Sequence, residues 1–309
     1  MTLLTKAFSP GIFTTLGPVS SARPARLRVG VVGAGRVGAT LGAALQRAGH
    51  QIVGVSAISD ASRRRAERLL PGVDVLPVDE VVAAADFVLV AVPDDALRPL
   101  VAGLAEADVW RPGQLVAHTS GAQGIAALNP AAARGVLALA LHPVMTFTGR
   151  PEDLDRLDGA AFGVTAPDEV RPVAEALVVE MGGEPVWVPE SARPLYHAAL
   201  SHGANHLVTL VNDAVAALAG AGVQDGARLL APLLSAALDN ALRLGDAALT
   251  GPVSRADLAT LAAHRRALAQ APELVPSYLA LARRTAERAH AAGRLTDAQV
   301  AAVLETLAP

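Results

Sequence analysis

The chain has 309 residues, 52% hydrophobic and 18% charged, a balance that suits a globular protein of two domains. With 26 Lys and Arg against 29 Asp and Glu, the net charge of -3 excludes the basic footprint of a nucleic-acid or anionic-membrane binder. Cysteine is absent and Lys6 is the only lysine, which excludes disulfides, a thiol nucleophile, cysteine-ligated metal and a lysine acid or Schiff base in the folded body.

Residues 1–25, interrupted by Pro10, Gly11, Gly17 and Pro18, lack a signal-peptide core and read as a loose leader. No apolar run reaches the length of a membrane span, and the cytoplasm is the expected location. From Leu27, "LRVGVVGAG" reads as a buried parallel strand ending in glycines. Residues 36–48 follow as a helix stopped by Gly49. "QIVGV" (51–55) is a second strand, and "SRRRAERLL" (62–70) a helix with a charged face. "DFVLVAV" (86–92) is a third strand, and "DDALRPLVAGLA" continues at helical spacing. "GQLVAH" and "GVLALALH" end two more strands, while "AAFGVTA" and "EPVWVP" bracket a helix at 168–181 and extend the sheet. This alternation predicts an α/β, doubly wound Rossmann-type domain over residues 26–189. Beyond about residue 190 only Ala/Leu-rich helical segments follow, near 191–218, 225–245, 254–270, 276–291 and 297–307, the last opening with a Thr296/Gln299 capping box. An all-helical domain is expected over 190–309, binding substrate and joining two copies as a homodimer.

Gly33, Gly35 and Gly38 in "VVGAGRVGATL" form G-x-G-x-x-G between a strand and a helix, the context in which the pattern binds a dinucleotide. Gly33 permits the tight turn, Gly35 lets the diphosphate approach the backbone, and Gly38 lets the helix pack on the strand. Ala34, Arg36 and Val37 complete the loop at the helix N-terminus. An NAD site usually ends its second strand with Asp or Glu. Here "GVSAISDASRRR" offers the hydroxyls of Ser56 and Ser59, with Arg63 and Arg64 for a 2′-phosphate, so NADP is expected over NAD. The plain alternative for these arginines is a solvated helix face. Asp60 reads as the cap of the next helix, and Val92 and Pro93 as part of the cofactor site.

Ligands of doubly wound sheets lie beyond the C-terminal ends of the strands. There the chain places "VAVPDD", "AHTSGA" (117–122) and "LHPVMTF" (141–147), so His118, Ser120, Gly121 and His142 are expected to converge on the nicotinamide end of the cofactor. Asp94 and Asp95 read as helix N-caps. "YHAALSHGANHL" spaces His197, Ser201 and Asn205 four apart, one polar stripe within about 80° of arc on an ideal helix. His202 and His206 have H-x-x-x-H spacing, but Gly203 stands where a zinc protease has glutamate, and no metal is expected.

In order, the glycine loop, "VPDDAL", "HTSGA", "LHPVMTF", "YHAALSHGANHL" and "LTGPVSRAD" resemble the Rossmann-like proteins whose helical half is a domain of unknown function. The resemblance runs from about residue 26 to 295. It implies membership of the 6-phosphogluconate dehydrogenase-like superfamily, alongside pyrroline-5-carboxylate reductase, prephenate dehydrogenase and ketopantoate reductase, and it implies NADP as cofactor. Some relatives are thought to act as alternative ketopantoate reductases. Ketopantoate reductases carry Lys-x-x-x-Asn-x-x-x-Asn on the helix facing the nicotinamide, and at that spacing this chain has His197, Ser201 and Asn205. Ile58 stands where an arginine is common after the second strand. The activity so implied is reduction of a small 2-oxo acid by NADPH, with ketopantoate as the example. His197 would supply the proton, and Asn205 and Ser120 would stabilise the oxyanion. Arg255 would clamp the substrate carboxylate, with an ion pair to Asp257 or Asp246 as its structural alternative. His118, Ser201 and His142 would line the substrate. The rival readings are an imine reductase of the pyrroline-5-carboxylate reductase type, a prephenate-dehydrogenase-like enzyme using His142, and a non-catalytic NADP-binding regulatory protein.

Overall fold

A computed structural model describes residues 26–308, and the leader expected over 1–25 lies outside them. The chain divides into two units between Ala198 and Ala199. In the first, β1 (Arg28–Val32) and α1 (Arg36–Arg47) are joined by the glycine turn, followed by β2 (Gln51–Ser56), α2 (Asp60–Leu69), α3 (Val78–Ala84), β3 (Phe87–Val90) and α4 (Asp94–Glu106). Then come β4 (Leu115–His118), α5 (Asn129–Ala132), β5 (Leu137–Pro143), α6 (Asp153–Arg156), β6 (Ala161–Thr165), α7 (Arg171–Glu180) and β7 (Glu184–Trp187). The strands form one sheet in the order β2-β1-β3-β4-β5-β6-β7, parallel except where β6 runs antiparallel to β5.

Both faces of this sheet are covered along its inner strands β1, β3, β4 and β5, which is why these read as unbroken apolar runs, whereas edge strand β7 buries no residue. β3 shows the division: Phe87 and Leu89 enter one core with Leu41 and Leu45 of α1, while Val88 and Val90 enter the other with Leu97 and Val101 of α4. The register sets Val90 beside His118 and His118 beside Ala140, so the polar residues after β4 and β5 leave the sheet at one end. Gly33 has φ +99°, and a Cβ there would stand 2.6 Å from the Ala91 carbonyl oxygen. The tight turn at the head of α1 therefore requires glycine.

Several local expectations change. The helix read at 62–70 begins at Asp60, and its cap is not Asp60 but Ser59, whose Oγ accepts the Ser62 N–H. Asp94 and Asp95 are not caps either: they sit in the first turn behind Pro93, where their charge meets the positive end of the helix. The helix expected over 191–218 is interrupted. α8 (Arg193–Leu200) passes into a π-helical turn at Ser201–Asn205 before α9 (His206–Gly220) resumes, so four-residue spacing no longer gives the stripe of an ideal α-helix there. The segment read from 254 opens as a short 3-10 turn at Val253–Arg255, and its helix α11 (Leu258–Leu268) starts later.

The second unit is helical, completed by α10 (Gly226–Leu244), α12 (Val275–Ala291) and α13 (Asp297–Thr306), and the Thr296/Gln299 capping box opens α13 as expected. Its core gathers Val253, Leu261, Ala282, Ala286, Ala289, Leu295, Val303 and Leu307. α9 buries no residue and α10 only Gly226. Among the described residues no helix is long and apolar enough to cross a membrane.

Candidate functional site

The glycine turn is held from the end of β2. Gly33 N–H donates to Ser56 Oγ at 2.9 Å and Ala34 N–H donates to the Ser56 carbonyl at 2.8 Å. Ser56 is buried, so its side chain braces the loop. α1 opens on Arg36 with no acidic residue in its first turn, leaving the positive end of the helix uncompensated. A Cβ at Gly35 would meet nothing nearer than the Ala91 oxygen at 3.8 Å, and the half-buried Val92 and exposed Pro93 follow at the end of β3.

The arginines divide differently from the sequence expectation. Arg63 and Arg64 are exposed on α2. Arg65, which periodicity did not single out, donates from Nη1 to the Ala34 carbonyl at 2.9 Å, and Arg68 Nη2 donates to the Gly149 carbonyl at 2.6 Å. Burial, then the charges of Arg36 and Arg68, lower the pKa of Arg65. Its buried Nε has no hydrogen-bond partner among the described residues. The 148–149 turn is pressed against these arginines by Asp153, which is fully buried and accepts Thr148 N–H (2.8 Å), Thr148 Oγ1–H (3.0 Å) and Gly149 N–H (2.7 Å). Among the described residues none of Arg36, Arg63, Arg64, Arg65 and Arg68 pairs with a carboxylate. Arg65 and Arg68 lie three apart beside the buried Ala66 and Leu69, and that helical spacing was the available signal.

The second group forms at the ends of β4 and β5. His118 is fully buried, with Nε2 2.9 Å from the Gly124 carbonyl and Nδ1 accepting the Ser120 N–H at 3.2 Å. Burial takes its pKa down to about 4, against the hydrogen bond to Gly124, so the ring is neutral and both nitrogens are occupied. His118 therefore shapes the 118–124 turn. Ser120 Oγ accepts the Gln123 N–H at 3.0 Å and retains its own hydrogen.

His142 lies half-buried with Nδ1 2.9 Å from the Tyr196 hydroxyl, and its ring stands edge-on to both Tyr196 (centroids 5.6 Å) and His197 (5.9 Å). Burial, then the nearby His197, Arg193 and His118, lower its pKa to about 4. Gly121 closes the group: a Cβ there would stand 2.5 Å from His197 Cδ2 and 2.9 Å from His142 Nε2. Arg193 anchors the start of α8 against the sheet. Fully buried, it donates to Thr165 Oγ1 (2.9 Å) and to the carbonyls of Ser120 (3.2 Å), Ala140 (3.0 Å) and Gly163 (2.9 Å). Tyr196 and Arg193 were missed in the sequence, although Tyr196 directly precedes His197.

Ser120, Gly121, His142 and His197 are thus brought together in the first unit, with acid–base groups suited to moving one proton. Ser201, half-buried, and Asn205, exposed, belong to the π-helical turn of the second unit. Arg255 is exposed there, and neither expected partner holds it: Asp257 caps α11 through Thr260, and Asp246 pairs with Arg288. His202 and His206 bring their Nδ1 atoms to 3.1 Å, and among the described residues no three His, Asp or Glu side chains gather as a metal centre would require.

Two family models match the chain: a Rossmann-like domain over residues 15–143 and the domain of unknown function DUF2520 over residues 160–285. No curated protein matches it in sequence. Among solved structures, a Bacteroides fragilis protein described as an NADP oxidoreductase shares 22% identity at a TM-score of 0.70, over 85% of this chain and 98% of that one. A reductive aminase from Aspergillus terreus, in complex with NADPH and ethyl levulinate, shares 19% identity at 0.61, over 90% and 99%. An imine reductase from Myxococcus stipitatus shares 17% at 0.60, over 91% and 100%. At these identities the likeness is one of fold. The chain thus carries a Rossmann-like domain followed by a DUF2520 domain.

Proposed function

We propose that the chain is an NADP-dependent reductase of a small 2-oxo acid, with ketopantoate as the candidate substrate. The observation that carries this reading is the meeting of Gly121, His142 and His197 at the ends of β4 and β5, in a sheet whose first turn is a braced G-x-G-x-x-G. The loop fits a dinucleotide diphosphate: Gly35 is open, α1 begins without an acid, and Arg36, Arg65 and Arg68 pair with no carboxylate among the described residues. Arg65 replaces Arg63 as the better candidate for the 2′-phosphate.

When bound, NADPH supplies a hydride to the carbonyl carbon. His197 donates the proton required as the carbonyl oxygen becomes a hydroxyl. The Ser120 hydroxyl hydrogen is available to the developing oxyanion. Asn205 and Arg255 lie in the helical unit, and we keep for them the roles the resemblance implies, an amide for a carbonyl and a guanidinium for a carboxylate. The fold matches to an imine reductase and a reductive aminase over nine-tenths of the chain favour a second reading, reduction of an imine at the same cluster. A panel of 2-oxo acids and cyclic imines, followed by loss of NADPH absorbance, separates the two. Turnover confined to imines would remove the oxo-acid reading.

The proposal includes a homodimer formed through the helical unit, because α10 presents Leu229, Leu233, Leu238 and Leu242 to solvent. Light scattering at micromolar concentration should give twice the mass of one chain, and Leu233→Glu with Leu242→Glu should return it to one. A wild-type monomer would contradict this part.

A further inference from the structure

We infer that Tyr196 is a positioning residue that holds His142 with its ring hydrogen on Nε2, so that a neutral imidazole N–H faces the reacting oxygen. The inference rests on the reductase reading above. Tyr196 lies on the first turn of α8, beside the anchored Arg193, and its ring covers Gly163, where any Cβ would collide with it. The phenol is therefore fixed in place. Its hydroxyl stands 2.9 Å from His142 Nδ1, the one hydrogen bond it makes among the described residues.

A neutral imidazole has one N–H and one lone pair. With the hydrogen on Nδ1, the phenol would accept it and would have to give its own hydrogen to solvent, since among the described residues it has no other partner. With the phenol donating, Nδ1 is the lone pair and the ring hydrogen is on Nε2. Nε2 has no hydrogen-bond partner among the described residues. It lies 2.9 Å from where a Cβ on Gly121 would stand, at the strand ends where doubly wound sheets hold their ligands.

The surroundings keep both partners in these forms. Burial, His197, Arg193 and His118 hold the His142 ring uncharged. Burial also raises the Tyr196 pKa, with Arg193 acting against it, so the phenol keeps its hydrogen at neutral pH. His142 consequently cannot act as a cationic acid near pH 7. It can stabilise charge as that charge develops on a carbonyl oxygen while keeping its own hydrogen, as neutral histidine electrophiles do in other enzymes. His197 remains the proton donor. Two histidines close together thus divide two tasks, and Tyr196 decides which nitrogen of His142 does the work.

Long-range ¹H–¹⁵N NMR of the histidine side chains in the full chain reads the tautomer without any substrate. Wild-type His142 should be neutral and Nε2-protonated between about pH 5 and 8, and Tyr196→Phe should mix the two tautomers. With the substrate found in the NADPH panel, Tyr196→Phe should lower kcat about 10-fold, less than the roughly 10²–10³ of a deleted oxyanion donor, with KM for NADPH unchanged. His142→Gln, which restores an amide N–H, should retain more activity than His142→Ala. A wild-type ring protonated on Nδ1, or a cationic ring at pH 7, overturns the inference even if Tyr196→Phe does not fold. An unchanged tautomer or an unchanged kcat in Tyr196→Phe does the same. Absence of turnover with every compound removes the reductase reading and the electrophile with it, whereas a wrong tautomer removes this inference alone.

Discussion

Gly121→Ala adds a single methyl group where two histidine rings meet. Its carbon would lie 2.5 Å from His197 Cδ2 and 2.9 Å from His142 Nε2, while carbon atoms pack comfortably at about 3.5–4.0 Å. One or both rings must therefore retreat by about 1 Å. Overpacking of this size costs about 1–3 kcal/mol, which in a domain this large lowers Tm by several degrees, at about 2–4 °C for each kcal/mol. The kinetic effect should be greater, because a misplacement of about 1 Å at a reacting centre costs on the order of 10²-fold. The glycine turn and Arg65 are not touched by the change, so NADPH affinity should stay within about two-fold of wild type. The assay combines kcat, NADPH titration and thermal unfolding on one preparation. If Tm falls but kcat per folded molecule stays near wild type, the rings have moved without consequence, and the cluster is not where reaction occurs.

Three other outcomes are expected. Arg65→Met should weaken NADPH binding about 10–100-fold, the scale of one lost charge-assisted hydrogen bond, and change NADH binding little; equal losses for both cofactors in parallel titrations would place Arg65 at the diphosphate instead. His197→Ala should lower kcat by roughly 10²–10⁴-fold with unchanged NADPH affinity, and turnover within a few-fold of wild type would end its role as proton donor. His118 and His142 have folded pKa values near 4, below the usual 6.5, so the unfolded chain binds more protons between those values. Their contribution to stability is complete above about pH 6.5 and is lost as pH falls toward 4. Thermal unfolding should show Tm declining over that window, with a shallower slope in His142→Gln, and a flat Tm from pH 7 to 4.5 would contradict the neutral rings.

The parts legible in the sequence are those where one segment carries its own signal. "DFVLVAV" announced a strand because both of its faces are buried, and Gly33 and Gly38 announced the turn because a Cβ at either would run into a backbone oxygen, while Gly35 leaves its space open. Thr296 and Gln299 cap a helix by contacts three residues apart. The short helices α3, α5 and α6 were not read, since at most two turns give periodicity nothing to repeat. The π-helical turn was invisible because "SHGAN" has no composition that distinguishes it from a continuing α-helix. Arg193, Tyr196 and Arg65 were missed for a different reason: their partners lie 28 to 73 residues away, at Thr165, Ala140, Gly163, Ser120, His142 and Ala34. Such pairings appear only once the sheet has brought its strand ends together. His118, by contrast, was legible as a polar residue at a strand end, but not as a ring with both nitrogens already occupied.

The central claim, that the glycine turn feeds an NADPH-dependent reaction, meets its most direct test in Gly35→Asp. An aspartate there stands at the N-cap of α1, where no atom nearer than 3.8 Å opposes its Cβ and where its carboxylate suits the helix end. The fold should keep its Tm or gain slightly, while the carboxylate occupies and repels the diphosphate position. The measurement is the initial rate of NADPH consumption with the panel of 2-oxo acids and imines, in wild type and Gly35→Asp side by side. The account predicts a saturable rate in wild type, faster with NADPH than with NADH, and none in the folded variant. A rate that survives Gly35→Asp, or a wild-type preference for NADH, would contradict it.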